Sequence, residues 1–207
     1  LNIGGHYSLA LIGDFNESNA TAAIIGAGLA GVDASAAVPG IAKVKIPGRM
    51  EHFQVPGHGT VYVDYAHNYA SMKALLSFLK RSYKDPRLLV VVGSPGDKGV
   101  SRRPGFAKVL TELATEAFLT TDDPGYEDPA NIINEIDLKI DHTKVKVHKV
   151  LDRKEAITEA IKASGPKDVV VVAGKGADPY QKIRGVNTPW PTDMAVVKEV
   201  AQSLQEG

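Results

Sequence analysis

The chain has 207 residues, and its 24 lysines and arginines balance its 24 aspartates and glutamates. A formal net charge of zero gives no general attraction to nucleic acid or to an anionic membrane. With 43% hydrophobic residues and no apolar run of about 20 residues, the composition indicates a soluble globular protein without membrane insertion. The lack of cysteine excludes disulfides and thiolate metal sites, and it fits a cytoplasmic protein.

The first part of the chain predicts a strand followed by two helices. Residues 7–12 form a short apolar run typical of a strand, and residues 17–31 are alanine-rich, as in a buried helix. Asp33 can cap a short second helix, and the Pro47-Gly48 pair ends the pattern. Because predicted structure begins almost at the first residue, which is not methionine, we expect a fragment of a longer protein.

From residue 48 onward, strands and helices alternate. This order predicts an α/β fold with a Rossmann-like, doubly wound, mostly parallel sheet and helices on both faces. Ligands of such sheets bind beyond the carboxyl ends of the strands. The predicted strands cover 60–63, 88–92, 117–120, 144–150 and 169–173, and the predicted helices cover 71–79, 106–113, 129–140, 152–163 and 192–204.

Glycine-rich segments suggest phosphate loops, but none has the full pattern. Residues 26–31 match G-x-G-x-x-G, yet a predicted helix precedes them instead of a strand, which favours close helix packing over dinucleotide binding. Residues 93–99 and 174–176 lack the Walker A spacing. Each of these two turns either presents amides and a lysine to an anion or is only a tight turn.

Charged residues that follow predicted strands are the remaining candidates. Asp64 and His67 can bind ribose and phosphate, although Asp64 or Asn68 could instead cap the next helix. Asp122 and Asp123 can bind a metal or an ammonium group, or belong to an Asp-Pro-Gly turn.

Two other groups of residues could bind ligands. Arg102 and Arg103 can hold a carboxylate or phosphate, or form a solvated pair. The six histidines are scattered and predict no zinc site.

In their order along the chain, these segments resemble the Mur ligase family, the ATP-dependent amide-forming enzymes of peptidoglycan synthesis. The resemblance implies that residues 1–46 end the central ATPase domain and that residues 47–207 form the C-terminal domain. The family's P-loop, modified lysine and Mg²⁺ ligands would then lie upstream of this chain. The segments that carry the resemblance are 13–19, 47–51, 63–68, 93–104, 122–124, 173–176 and 180–181.

The resemblance also implies roles for individual residues. Asn19 would face adenine, with Asn16 in the same loop, and Asp64 would bind the ribose. Arg49, reaching the ATP phosphates, and His67 are the candidate catalytic residues, and both belong to the nucleotide site. The candidate residues for the incoming amino acid are Lys98, Arg102, Asp122, Asp123, Gly174 and Asp178.

Departures from the family pattern bear on the substrate. Enzymes that add meso-diaminopimelate have an arginine, which binds the distal carboxylate of that substrate, where this chain has Gly125. The additional acid in the Asp122-Asp123 pair suits a bare ammonium, which points to L-lysine. Other departures are Lys98 for a frequent arginine, Asp178 for a frequent glutamate and Tyr69 for a common proline.

The resulting expectation is the C-terminal part of a cytoplasmic ligase of cell wall biogenesis, with roles in cell shape and division. The ligase would use ATP and Mg²⁺ to add L-lysine, through an acyl phosphate, to UDP-N-acetylmuramoyl-L-alanyl-D-glutamate. This part would pack against its own central domain and be inactive alone. The alternatives are a meso-diaminopimelate ligase, a folylpolyglutamate synthase, in which glycine usually replaces Tyr65, and a non-catalytic Rossmann-like binding module.

Overall fold

Helices and short strands account for most of the computed structural model, which describes residues 8–206 without the side chain of Ala34. A single 3-10 turn over Val100–Arg102 leads into the fourth helix. The helices are α1 (Asp14–Leu29), α2 (Ala34–Ala42), α3 (Tyr69–Ser82), α4 (Arg103–Leu113), α5 (Pro129–Asp137), α6 (Arg153–Ala163) and α7 (Asp193–Glu206). The strands are β1 (Glu51–Gln54), β2 (Thr60–Asp64), β3 (Leu88–Val92), β4 (Glu116–Leu119), β5 (Lys146–Lys149), β6 (Val169–Ala173), β7 (Tyr180–Ile183) and β8 (Val186–Pro189).

One six-stranded sheet in the order β1-β2-β6-β3-β4-β5 forms the centre of the fold. All neighbouring strands are parallel except β1, which runs antiparallel to β2. This arrangement confirms the predicted doubly wound α/β fold. At the carboxyl edge, Asp64 pairs with Ala173, Ala173 with Val92, and Val92 with Leu119. The loops that follow β2, β6, β3 and β4 therefore start side by side.

Two apolar layers cover the faces of this sheet. Side chains of α3, α4 and α5 pack with Val90 and Val171 on one face. Side chains of α6 and α7 pack with Val91 and Val172 on the other. Because successive strand residues point to opposite faces, β3 and β6 must be apolar throughout, as their sequences predict.

The amino-terminal region differs from its prediction in two respects. Residues 8–12 of the predicted strand 7–12 form no strand, because no partner strand lies beside them in the described chain, and Tyr7 lies outside the described residues. An added Cβ on Gly26 or Gly31 would meet nothing within 4 Å, so the close packing predicted there is not seen in residues 8–206. The predicted cap of α2 is confirmed, because Asp33 accepts a hydrogen bond from the Ser35 amide.

The sequence did not predict three short strands. β1 and β7 have four residues each with mixed polarity, and β8 is exposed along its whole length. The turn between β7 and β8 has positive φ at both Arg184 (48°) and Gly185 (80°), as tight hairpins require. No helix within residues 8–206 is long and apolar enough to span a lipid bilayer.

A buried carboxylate stabilises the opposite, amino-terminal edge of the sheet. Glu116 accepts hydrogen bonds from Arg87 (2.6 Å) and from His148 Nε2 (2.8 Å), and Arg87 also pairs with Asp168 (2.8 Å). Burial of the Glu116 carboxyl opposes its ionisation, but the hydrogen bonds from His148 and Arg87 outweigh this and hold its pKa below the ordinary value. The ionised form of Glu116 therefore stabilises the fold.

Replacing this carboxylate should lower stability in a pH-dependent way. Because the folded pKa is depressed, the contribution of Glu116 is present above about pH 4.3 and is lost as the pH falls through the folded value. We expect Glu116→Gln to lower the free energy of unfolding by about 1–3 kcal/mol at neutral pH, with a smaller difference from wild type in acid. Urea unfolding at both pH values, with the exposed Glu159→Gln as control, measures this. Equal losses in the two variants would contradict it.

Candidate functional site

The predicted acidic pair holds an ammonium group of the protein itself. Lys175 is 1% exposed, and its Nζ lies 2.7 Å from Asp123 Oδ1, 3.7 Å from Asp122 Oδ1 and 5.4 Å from the centre of the Tyr180 ring. Of the two possibilities left open for the turn at 174–176, Lys175 does not present its ammonium to an external anion, because it is buried and paired with Asp123. It is flanked by Gly174 and Gly176, whose positive φ angles of 108° and 54° favour glycine.

The two aspartates differ in how their oxygens are used. Asp123 Oδ1 accepts hydrogen bonds from Lys175 and from the Lys182 amide (2.9 Å). Asp122 is 7% exposed, and no residue within 8–206 donates a hydrogen bond to its carboxylate. Burial raises the pKa of Asp122, although the positive charges of Arg153 and Lys175 act in the opposite direction. Asp122 is therefore the member of the pair that has capacity for a further donor.

Gly174 leaves room beside the Asp122 carboxylate. A Cβ built on Gly174 would lie 2.8 Å from Asp122 Oδ2, so a side chain at 174 would crowd that oxygen. The predicted residues Asp122, Asp123 and Gly174 thus come together, and Lys175 completes the group.

A second buried ion pair supports the same edge. Arg153 begins α6 and forms a two-pronged pair with Asp193 of α7, at 2.8 and 2.7 Å, with both side chains fully buried. Arg153 also donates to the Ala173 carbonyl (3.0 Å), and the Trp190 indole donates to Asp193 (3.2 Å). These contacts anchor two helices to the end of β6.

The turn after β3 is fixed to the acidic pair from the other side. The Gly96 amide donates to the Asp123 carbonyl (2.8 Å). Arg103, which is 1% exposed, pairs with Glu127 (2.8 Å) and Glu135 (2.7 Å), so it is not the solvated charge that the sequence allowed. Lys98 is exposed and Arg102 half-buried, and no carboxylate of residues 8–206 lies in ion-pair range of either. Both cations are therefore available to an anionic group.

Gly125 has a conformation that disfavours the missing arginine. Its φ is +61°, and an added Cβ would lie 2.1 Å from Asp97 Oδ2. The same Asp97 oxygen accepts a hydrogen bond from the Tyr126 amide (3.3 Å). Gly125 also lines a cavity of about 600 Å³, together with Tyr126 and Arg184.

The segment after β2 joins the sheet to residues 48–50. Asp64 is 4% exposed, and its two oxygens accept hydrogen bonds from the Met50 amide (2.9 Å) and the Ala66 amide (2.8 Å). Burial raises the pKa of Asp64, opposed by these amides. Asn68 caps α3 by accepting from the Ser71 amide. His67 is exposed, with Nδ1 2.7 Å from the Tyr65 carbonyl.

Three of the residues predicted for the nucleotide share one cavity. Asn16, Asn19 and Arg49 line a space of about 330 Å³ whose other walls include Phe15 and Ile46. The side-chain Nδ2 of Asn16 donates a hydrogen bond to the Ile12 carbonyl (2.7 Å), which orients this carboxamide. Apolar walls with a few carboxamides suit a flat heteroaromatic ring.

Relatives of this chain share both its sequence and its fold. The family model for the Mur ligase, glutamate ligase domain matches residues 48–176. The chain belongs to the Mur ligase family. It is 91% identical over all 207 residues to the UDP-N-acetylmuramyl-tripeptide synthetase of Lacticaseibacillus paracasei and covers 40% of that protein.

Two other relatives of this Mur ligase chain differ in the amino acid that their names specify. The chain is 49% identical over 199 residues to the UDP-N-acetylmuramoyl-L-alanyl-D-glutamate–L-lysine ligase of Enterococcus faecalis, covering 96% of itself and 39% of that protein. A solved UDP-N-acetylmuramoyl-L-alanyl-D-glutamate–2,6-diaminopimelate ligase has a TM-score of 0.71 at 33% identity, with 96% of this chain and 40% of the other covered. The chain thus spans about two fifths of the length of these relatives.

Some site residues of this Mur ligase chain were missed in the sequence. Lys175 was predicted only as a lysine that the turn at 174–176 could present to an anion, and its pairing with Asp123 was not predicted. Tyr65 lies between Arg49, 5.2 Å from its ring centre, and Asp178, 3.4 Å from its hydroxyl. The Arg153–Asp193 pair joins residues 40 positions apart and left no local signal.

The buried lysine should be essential for stability. We expect Lys175→Met to lower the free energy of unfolding by about 3–5 kcal/mol, because it leaves the buried Asp122 and the partly buried Asp123 without their nearest cation. Adding Asp123→Asn to Lys175→Met should recover part of this loss. Lys182→Met, at an exposed position, is the matched control. Denaturant unfolding measures all three, and a Lys175→Met loss no larger than that of Lys182→Met would contradict the pairing.

Proposed function

We propose that this chain is the C-terminal part of an ATP-dependent ligase that adds L-lysine to UDP-N-acetylmuramoyl-L-alanyl-D-glutamate. The observation that carries the proposal is the buried Asp122 carboxylate, which lacks a hydrogen-bond donor within residues 8–206 and lies at the carboxyl edge of the sheet. A buried anion without a donor favours a cationic ligand. The side-chain ammonium of lysine supplies that cation.

Gly125 supports lysine over meso-diaminopimelate. The distal carboxylate of diaminopimelate needs a cation, and Gly125 offers none. Asp97 lies where a side chain at 125 would begin, so an acid occupies the place from which the arginine of diaminopimelate ligases would extend. The relatives include both a lysine ligase and a diaminopimelate ligase, so the family alone leaves this choice open.

The nucleotide side rests on the cavity beside α1. Asn16 and Asn19 would bind the adenine edge, and Arg49 would contact the phosphates from the rim of the same cavity. Asp64 would orient the ribose with the oxygen lone pairs that its two backbone amides leave free, and His67 lies exposed beside it. Mg²⁺ and the P-loop belong to the part of the ligase outside this chain.

The mechanism of the family accounts for how these residues would handle charge. ATP phosphorylates the substrate carboxylate and leaves as ADP, and the α-amine of lysine attacks the resulting acyl phosphate, releasing inorganic phosphate and a proton. Arg49 offsets negative charge on the phosphoryl group, while Lys98 and Arg102 hold the lysine carboxylate. Asp122 binds the side-chain ammonium of the lysine substrate, and Asp178 is a second residue that holds this substrate. Closure onto the central domain would bring amine and acyl phosphate together and exclude water.

A substrate assay of the full-length ligase tests this proposal. We expect amide formation with lysine and much less with meso-diaminopimelate. Asp122→Asn should raise the KM for lysine by about 10–100-fold, because a charge-assisted contact is lost. Asp85→Asn, at an exposed aspartate, is the control and should leave the KM unchanged. Preference for diaminopimelate would overturn the substrate, and folate-dependent glutamate addition would favour a folylpolyglutamate synthase.

The 207-residue chain alone should have no ligase activity. The residues that cradle the ATP triphosphate in this family are proposed to lie outside it, so binding of lysine without turnover is expected. Phosphate release in the presence of ATP and both substrates measures this. Turnover by the isolated chain would contradict the proposal that the triphosphate-binding residues lie outside it. If the full-length protein has no ligase activity, a non-catalytic binding module would be favoured.

A further inference from the structure

Tyr65 lies between the residues proposed for the nucleotide and those proposed for lysine. It follows Asp64 directly at the end of β2 and is half-buried. On one side, the Arg49 guanidinium lies 5.2 Å from the centre of its ring. Arg49 is exposed and has no carboxylate within ion-pair distance among residues 8–206, although the Asp64 charge attracts it from further away, so the cation–π contact is its short-range side-chain contact.

The hydroxyl of Tyr65 contacts the turn after β6. It donates a hydrogen bond to Asp178 Oδ1 (3.4 Å). Burial raises the pKa of Tyr65, opposed by the nearby Ala177 amide, so the hydroxyl keeps its proton at neutral pH and acts as a donor. The hydroxyl is therefore hydrogen-bonded to Asp178, in the turn after β6.

Glycines allow this turn to approach the ring closely. A Cβ on Gly176 would lie 2.6 Å from two atoms of the Tyr65 ring, and one on Gly48 would lie 2.3 Å from the Ala177 nitrogen. Both glycines have positive φ, 54° and 69°. The junction at residue 48, the Tyr65 ring and the turn at 176–178 are thus packed in direct contact, which leaves little freedom for any of them to move separately.

We propose that Tyr65 is a positioning residue that orients Arg49 through its ring and Asp178 through its hydroxyl. This inference rests on the proposed function, because it assigns Arg49 to the phosphates and Asp178 to lysine. The two interactions use different parts of one side chain, so they can be removed separately. Tyr65 itself contacts neither reacting group in this arrangement.

Steady-state kinetics of the full-length ligase with two variants separate the two effects. Tyr65→Phe keeps the ring and removes the hydroxyl, so the KM for lysine should rise about 3–10-fold while the KM for ATP changes less than about twofold. Tyr65→Leu removes the ring as well, so the KM for ATP should rise too and kcat should fall.

Tyr69→Phe is a closely matched control. The Tyr69 hydroxyl also donates to a carboxylate, that of Glu112 (3.1 Å), and lysines 73 and 108 lie over its ring. This tyrosine begins α3 and has no proposed contact with substrate, so both KM values should remain unchanged. Thermal unfolding of each variant verifies that it is folded.

A double-mutant cycle tests the link to Asp178. In an Asp178→Asn background, Tyr65→Phe should raise the KM for lysine less than it does in wild type, because the carboxylate it orients is gone. An active Tyr65→Phe enzyme with an unchanged KM for lysine would overturn the positioning role alone, as would full additivity in the cycle. A full-length wild-type protein that forms no lysine amide would overturn the proposed function and this inference with it.

Discussion

Burial of the Lys175 ammonium beside Asp122 and Asp123 is the interaction on which the carboxyl edge of the sheet depends. A charge removed from water is tolerated only when an opposite charge and hydrogen bonds replace the lost solvation. Lys175 meets this requirement through Asp123, which in turn accepts the Lys182 amide. One cation therefore connects the loops after β4 and β6 with the first strand of the hairpin. Two ionised acids and one lysine leave the group with a net negative charge, to which the ammonium of the proposed substrate would add a second cation.

The surrounding ion pairs explain why that charge falls on Asp122. Arg153 forms an ion pair with Asp193, and Arg103 forms ion pairs with Glu127 and Glu135. Each buried arginine thus has an ion-pair partner on a neighbouring element, and neither donates a hydrogen bond to the Asp122 carboxylate, although the charge of Arg153 favours its ionised form. Asp122 has only the longer Lys175 contact (3.7 Å) and no hydrogen-bond donor among residues 8–206, and a buried carboxylate of this kind gains from a further cation.

Local sequence patterns predicted most of the fold and part of the candidate site. The valine-rich β3 and β6 could be predicted because a strand buried on both faces must be apolar at every residue. The short, polar β1, β7 and β8 had no such pattern, since exposed edge strands place few demands on their side chains. In the site, Asp122, Asp123 and Gly174 were predicted from turns after strands. The sequence could not predict which of the two acids lacks a hydrogen-bond donor. That depends on Lys175, which is more than 50 positions away in the sequence.

Adjacent residues at and just after the end of β2 make different contacts with the same part of the chain. The Asp64 carboxylate accepts a hydrogen bond from the Met50 amide, while Tyr65 lies against the turn at 176–178 and its ring faces the Arg49 guanidinium. The parallel register places Asp64 beside Ala173, directly before the loop that carries Lys175 and Asp178. The segment at 48–50 therefore meets this loop directly, as the close approach of Gly48 to the Ala177 nitrogen also shows.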